Sequence, residues 1–219
     1  MCGRLFIKPV TELEKLLEMF GILGVTLPLL NNVAPTEAIP IIHQTTTGLR
    51  ISQVRWWLHP HWSKEEPNQK FAMFNARIET IISAPSFRGP VQHRRCIVPA
   101  AGFIEWQRDG KNKQPYYIDA GDQPLLLAAV WDIWQEQLMS CAIITQAADA
   151  AFAPIHDRMP LSLTAAQARQ WLDPQQDHRA LIENLAGTSL LLRARPVASA
   201  VNNARNKDDV VFLDALANE

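Results

Sequence analysis

Gly102-Phe103-Ile104-Glu105-Trp106-Gln107-Arg108-Asp109-Gly110-Lys111 reads as a strand running into a hairpin turn. Phe103, Ile104 and Trp106 suit a pleated, half-buried surface. Asp109-Gly110 is a dipeptide favoured in two-residue hairpin turns, whose central positions require positive φ. The return limb reaches Tyr116 to Ile118, and two further apolar runs follow at 125–130 and 139–145. These runs predict consecutive strands joined by short turns, which disfavours a doubly wound sheet with regular crossover helices.

Outward from this block, further strands are expected at 2–7, 39–43, 49–58, 71–80, 94–98 and 190–197. Thr11-Glu12-Leu13-Glu14 is a capping-box pattern opening a helix through Phe20, closed by Gly21. Thr164-Ala165-Ala166-Gln167 opens a second helix to Leu172, and 177–185 with Gly187 reads as a third. Asn31-Asn32-Val33-Ala34-Pro35-Thr36 is turn chemistry, and the polar stretch 63–70 is expected to be an exposed loop. The predicted fold is α+β, with a curved, barrel-like mixed β-sheet core and peripheral helices. With 219 residues, 47% of them hydrophobic, the chain is expected to form a single domain over 1–219.

The formal net charge of −1 gives no global attraction to nucleic acid, so any DNA contact must come from a local basic patch. No run of about 18 apolar residues and no basic-then-apolar leader occur, so a cytoplasmic, non-membrane protein is expected. The three cysteines, Cys2, Cys96 and Cys141, lack Cys-x-x-Cys spacing, which argues against both a disulfide framework and a metal site. No metal and no cofactor are expected. Seven tryptophans against two tyrosines suit core packing, with base stacking as the sharper alternative for those beside basic residues, such as Trp62 after His61.

The candidate chemistry begins at Met1-Cys2-Gly3-Arg4. The small second residue predicts removal of Met1, which leaves a 1,2-aminothiol. An α-amine with pKa of about 7.7 to 8.0 and a thiol near about 8.5 both keep a reactive fraction at neutral pH. The amine can condense with an aldehyde and the thiol can then close a thiazolidine ring. A chance Met-Cys start with an inert thiol is the bland alternative. Glu105, between Ile104 and Trp106, is a candidate acid/base that a solvent-facing strand position would also explain. His156, in Ile155-His156-Asp157-Arg158, is a proton shuttle or simply half of a structural pair with Asp157. Asn75 orients an amine or hydroxyl, or caps a turn. Arg4, Arg77 and Arg158 each stand two positions from Cys2, Asn75 and His156. On a strand that spacing shares a face, and guanidinium forks match phosphate oxygens, although surface salt bridges explain any one of them.

Several of these residues sit in blocks that resemble the SRAP (SOS response-associated peptidase) family of abasic-site processing proteins. The blocks are Met1-Cys2-Gly3-Arg4, Asn32-Val33-Ala34-Pro35-Thr36, Arg55-Trp56-Trp57-Leu58-His59-Pro60-His61-Trp62, Asn75-Ala76-Arg77-Ile78-Glu79-Thr80, Arg95-Cys96-Ile97-Val98-Pro99-Ala100-Ala101-Gly102-Phe103-Ile104-Glu105-Trp106 and Ile155-His156-Asp157-Arg158-Met159-Pro160. A weaker echo is Val201-Asn202-Asn203-Ala204-Arg205-Asn206. The resemblance implies a sensor of abasic sites in single-stranded DNA that joins Cys2 covalently to the ring-opened deoxyribose as a thiazolidine, shielding the lesion, with an AP-lyase side reaction. It carries catalytic roles onto Cys2, Asn75, Glu105 and His156, and DNA contacts onto Arg4, Arg77, Arg158 and Trp62. A monomer is expected, associated with the nucleoid when on DNA. Two places depart from the family pattern: Trp57 stands where Gly usually follows the Trp, and the 63–70 loop is extended. Trp56 is expected in the core.

Rival readings remain open at the level of sequence. N-terminal-nucleophile glutamine amidotransferases also begin Cys-Gly, and Arg88-Gly89-Pro90 faintly resembles their substrate loop, but Val91 follows where an acid is expected. A self-processing cysteine peptidase and a non-covalent reader of modified DNA are the others.

Overall fold

The computed structural model describes residues 3–9, 11–110 and 112–213. Along the chain lie β1 (Arg4–Ile7), α1 (Thr11–Met19), β2 (Leu30–Val33), β3 (Ala38–Thr45), β4 (Gly48–Arg55), β5 (Asn75–Arg77), α2 (Arg88–His93), β6 (Arg95–Ala100) and β7 (Gly102–Asp109). There follow β8 (Asn112–Asp119), β9 (Leu125–Trp134), β10 (Leu138–Ala147), β11 (Arg158–Pro160), β12 (Ser162–Leu163), α3 (Ala165–Leu172), α4 (His178–Leu185), β13 (Arg193–Pro196) and a 3-10 turn at Ser199–Asn202.

The opening hairpin forms as expected. β7 and β8 pair antiparallel from Phe103↔Ile118 to Asp109↔Asn112, with Gly110 at φ +55° in the turn. They lie inside one sheet of order β13-β8-β7-β1-β2. The second sheet curls on itself: β4-β3-β6-β9-β10 pair in sequence, and β10 returns to β4 through a parallel bridge at Ser140↔Arg55. The closing edge is reinforced where the Ser140 hydroxyl accepts the His59 backbone N–H at 2.8 Å. The sheet is therefore mixed and ring-like, in agreement with the α+β, barrel-like expectation.

Strands of this ring carry consecutive buried residues rather than an alternating pattern. Leu125 to Val130 and Cys141 to Ile144 are all buried, because side chains on both faces meet protein. Trp171 of α3 donates its indole N–H to Cys96 O at 2.9 Å, tying that helix to the outside of the ring.

Ala101 is the corner between the two sheets, donating its N–H to Phe6 O at 2.8 Å. Gly102 is required there for space, since a Cβ would lie 2.4 Å from Tyr117 Cζ and 2.7 Å from Ile118 O. Beyond this corner β7 separates two apolar clusters. Leu5, Phe103 and Ile118 join the main core, while Phe6, Ile104, Tyr117, Val197 and Val201 form a smaller one under the C-terminal segment.

The three helices expected from caps are present. Thr164 and Gln167 make a reciprocal capping box, Asp177 caps α4 through the N–H groups of Arg179 and Ala180, and Gly21 and Gly187 follow their helices at positive φ. Four features differ from expectation. Part of the 31–36 turn is strand β2, with Asn32 at φ +49° beside a register shift against β1. The 71–80 strand shortens to β5. Helix α2 forms at Arg88-Gly89-Pro90, where proline is tolerated in a first turn. The short strands β11 and β12 carried no periodicity of their own. No helix among the described residues is long and apolar enough to cross a membrane.

Candidate active site

Glu105 is only 2% exposed. Alternation along β7 puts it on the face of Phe103 and Gln107, opposite Ile104 and Trp106. One carboxylate oxygen accepts the Trp106 backbone N–H at 3.1 Å. That face is covered by the turn at 149–157: the Phe103 and Phe152 rings lie 6.1 Å apart, and Gln107 Nε2 donates to Pro154 O at 3.1 Å. Tyr116, paired with Glu105 across the hairpin, donates its hydroxyl to Gln107 Oε1 at 3.1 Å and so holds that amide in place.

His156 sits in the covering turn. Its Nδ1 accepts the Arg158 N–H at 3.0 Å and lies 2.7 Å from Asp157 Oδ1. The two contacts require opposite states of the same nitrogen: a bare Nδ1 accepts from Arg158, and a protonated Nδ1 donates to Asp157. The shared-face expectation for His156 and Arg158 does not hold, because β11 begins at Arg158 and His156 precedes it in a turn.

Strand β10 gathers the remaining groups. β5 runs parallel to it with Asn75 opposite Ile143 and Arg77 opposite Thr145, while β11 runs antiparallel to it with Arg158 opposite Ala147. Asn75 is buried and Arg77 exposed on the same face of β5, with Ala76 turned into the core. Arg158 forks onto Glu79, Nη2 to Oε2 at 2.8 Å with Nη1 on Oε1, and also donates to Thr145 O at 2.7 Å. This hydrogen-bonded fork holds the Glu79 carboxyl below its usual range.

Arg4 lies opposite Ile104 on β1, so it occupies the other face of the sheet from Glu105. Its guanidinium stands 5.7 Å from the Trp106 ring, and Nη2 donates to Asn202 O at 3.4 Å. Burial lowers its pKa, with Glu37 partly opposing, yet the group stays cationic. Met1 and Cys2 lie outside the described residues; β1 begins at Arg4, so the strand-face pairing of Arg4 with Cys2 stays an expectation.

Trp56 is fully buried, as expected, donating its indole N–H to Phe74 O at 3.0 Å. Trp57 leans on the Phe74 ring at 5.3 Å, immediately before Asn75. Trp62 is 54% exposed and borders an apolar cleft of about 470 Å³ with Leu58, Phe71 and Met73. That cleft holds neither Asn75, Glu105 nor His156, so it is distinct from the candidate catalytic group. Sequence reasoning did not assign roles to Gln107, Tyr116 or Asn202; only Asn202 carried a signal, as part of the weak Val201 to Asn206 echo.

The model of the family described as SOS response associated peptidase (SRAP) matches residues 1–204. The chain belongs to the SRAP family. Among SRAP relatives, the abasic site processing protein YoqW of Bacillus subtilis is 34% identical over 94% of this chain and 96% of its own length. Abasic site processing protein YedK of Escherichia coli is 32% identical over 80% of each chain. Abasic site processing protein HMCES of Gallus gallus is 34% identical over 71% of this chain and 55% of its own. A crystal structure of a phage-related protein from Bordetella bronchiseptica superposes with a TM-score of 0.70 at 28% identity, covering 90% of this chain and 94% of that one. A Bacteroides thetaiotaomicron protein shares the fold at a TM-score of 0.75 and 24% identity, covering 93% and 95%.

Proposed function

We propose that this SRAP protein recognises abasic sites in single-stranded DNA and captures them covalently through Cys2. The observation that carries this reading is Glu105. A nearly inaccessible carboxylate sits on β7 next to Ile104, the partner of Arg4 in β1, and its face meets the turn that carries His156.

In this reading Met1 is removed and the α-amine of Cys2 adds to the C1′ aldehyde of the ring-opened deoxyribose. Glu105 protonates the departing oxygen, so that ring opening and loss of one water leave an iminium. The thiol adds to the iminium carbon, releases its proton and closes the thiazolidine, so the net by-product is water. Asn75 orients the amine and the expelled oxygen, while His156 hydrogen-bonds the liberated sugar hydroxyl and exchanges its proton. If ring closure is delayed, the iminium acidifies C2′ and β-elimination expels the 3′ phosphate, an AP-lyase side reaction. Arg4, Arg77 and Arg158 contact backbone phosphates, and Trp62 stacks on a base. The protein acts as a single-domain monomer in the cytoplasm, at the nucleoid when on DNA, without metal or cofactor.

Incubation with an oligonucleotide bearing an aldehydic abasic site tests this on a denaturing gel and by intact mass. Wild type is expected to lack Met1 and to gain the mass of the strand less one water; Cys2→Ser is expected to give no stable adduct. An undiminished Cys2→Ser adduct would sink the thiazolidine.

A further inference from the structure

Trp62 also lines a polar cleft of about 620 Å³, together with His61, Arg88, Gln92, His178 and Arg179 among others. Its ionisable lining is entirely basic, in a chain whose net charge is −1. Arg94, Arg158, Arg193 and Arg195 are all held by carboxylates. Among the described residues, Arg88 and Arg179 have no ion-pair partner.

The wall of the cleft is rigidly built. Asp132, fully buried, accepts from His61 Nδ1 at 2.9 Å, from the His61 backbone N–H at 3.0 Å and from Arg94 at 3.1 Å. These contacts fix the His61 ring through Nδ1. The nearest acid on α4, Asp177, is committed to the N–H groups of Arg179 and Ala180 at 3.0 and 2.9 Å. His178 is held below its usual pKa by burial, with Asp177 opposing and Arg179, Arg95 and His93 adding to the depression.

The cleft also adjoins the candidate site along the chain. Arg77 ends β5, Thr80 N–H returns to Arg77 O at 3.2 Å, and the same run of turns reaches Ile82 and Pro85 in the cleft wall. Trp62, in the same lining, is about half exposed.

We infer that this cleft is a second phosphodiester subsite, in which Arg88 and Arg179 take phosphates of the strand flanking the lesion while Trp62 stacks on a base at the entrance. The inference rests on the abasic-site reading and extends it from the lesion to the strand leading away from it.

Binding of oligonucleotides carrying a stable, non-aldehydic abasic analogue, measured by fluorescence anisotropy across salt concentrations, tests it. One strand is trimmed close to the lesion, and two others are extended on the 5′ or the 3′ side. Each phosphate contact to a single strand adds about 0.7 to the log–log salt slope, so Arg88→Ala with Arg179→Ala should flatten it by about 1.4. The flattening is expected on one extended strand and not on the trimmed one. Removing two charges elsewhere, by Lys15→Ala with Arg50→Ala, is expected to leave the slope as in wild type. Equal losses on trimmed and extended strands, no loss on either extension, or an equal loss in the Lys15 and Arg50 variant would each overturn the subsite. Adduct formation by wild type on aldehydic DNA is followed in parallel. Its absence defeats the abasic-site reading, whereas its presence with an unchanged slope defeats the subsite alone.

Discussion

Trp106 Nε1 donates to Asn202 Oδ1 at 2.7 Å, joining β7 to a turn 96 positions later in the chain. The same residue's backbone carbonyl receives Arg4, whose guanidinium also faces the Trp106 ring. Asn202 thus positions Arg4 from behind, through both its side chain and its main chain. Asn202→Ala removes one hydrogen bond at a partly exposed site and is expected to lower stability by about 0.5–1.5 kcal/mol in a urea melt. DNA affinity should fall with it, while Asn202→Asp, which keeps the acceptor, retains the indole contact. Wild-type affinity in Asn202→Ala would separate Asn202 from Arg4.

Glu105→Gln keeps the size of a side chain that is 2% exposed, so the fold should persist. A neutral amide cannot donate and recover a proton, and general acid–base groups contribute about 10²–10⁴-fold. Single-turnover adduct formation, or its reversal, is expected to slow by at least about tenfold, a threshold set below that range. Unchanged rates in both directions would remove Glu105 from proton transfer.

In the proposed capture reaction the α-amine matters as much as the sulfur. A chain that retains Met1, or carries an extension ahead of Cys2, offers a thiol without a neighbouring amine and cannot form the five-membered ring. Non-covalent binding to the stable abasic analogue should survive in such a chain, and the adduct that resists denaturation should disappear. A heat-stable adduct on an extended chain would show that the amine is dispensable.

Burial of Glu105 was left open by Ile104 and Trp106, which alternation puts on the other face, and comes instead from the 149–157 turn packed over Phe103 and Gln107; the helices were legible from Thr164, Gln167, Asp177 and the glycines that follow them. A curved, barrel-like sheet was expected, but not which strands close it, since closure rests on Ser140 meeting Arg55 and His59, pairings that no local periodicity encodes. Asn31-Asn32 reads as a turn for a sound reason, as Asn32 does adopt positive φ, but the bulge it makes is absorbed within a strand. The partner of Arg158 was equally hidden, because Glu79 becomes its neighbour only when β5 and β11 both pair with β10.

Gly102 is open to a direct stability test. In Gly102→Ala the new methyl would lie 2.5 Å from Tyr117 Oη and 2.7 Å from the Ile118 carbonyl. Neither can retreat freely: the carbonyl belongs to the backbone, and the Tyr117 ring is wedged edge-on between Phe6 at 5.3 Å and Phe212 at 5.7 Å. Overpacking of this kind costs about 1–3 kcal/mol. A lower Tm by differential scanning calorimetry is expected, with loss of adduct formation as the β6–β7 corner shifts Glu105. A Tm equal to wild type would mean that the corner is looser than its contacts indicate.

For the proposed phosphate contact of Arg158, Glu79 sets how much of the guanidinium is available. The fork neutralises the guanidinium, and the bound carboxyl has its pKa depressed, chiefly by the hydrogen bond from Arg158. A group with a depressed folded pKa contributes stability that is present above its unfolded value, about 4.3, and lost as pH falls through the lower folded value. The Glu79 side chain is 47% exposed, so after solvent screening this contribution stays below about 1 kcal/mol. Glu79→Gln should therefore cost little stability near neutral pH and lose less than wild type on acidification, measured by urea melts at successive pH values. At the same time it releases a cation toward the phosphates, so binding to abasic-analogue DNA should tighten and its log–log salt slope steepen by about 0.7. Weaker binding with an unchanged slope would show instead that Glu79 holds Arg158 in the orientation DNA requires, making the ion pair part of the contact rather than its competitor.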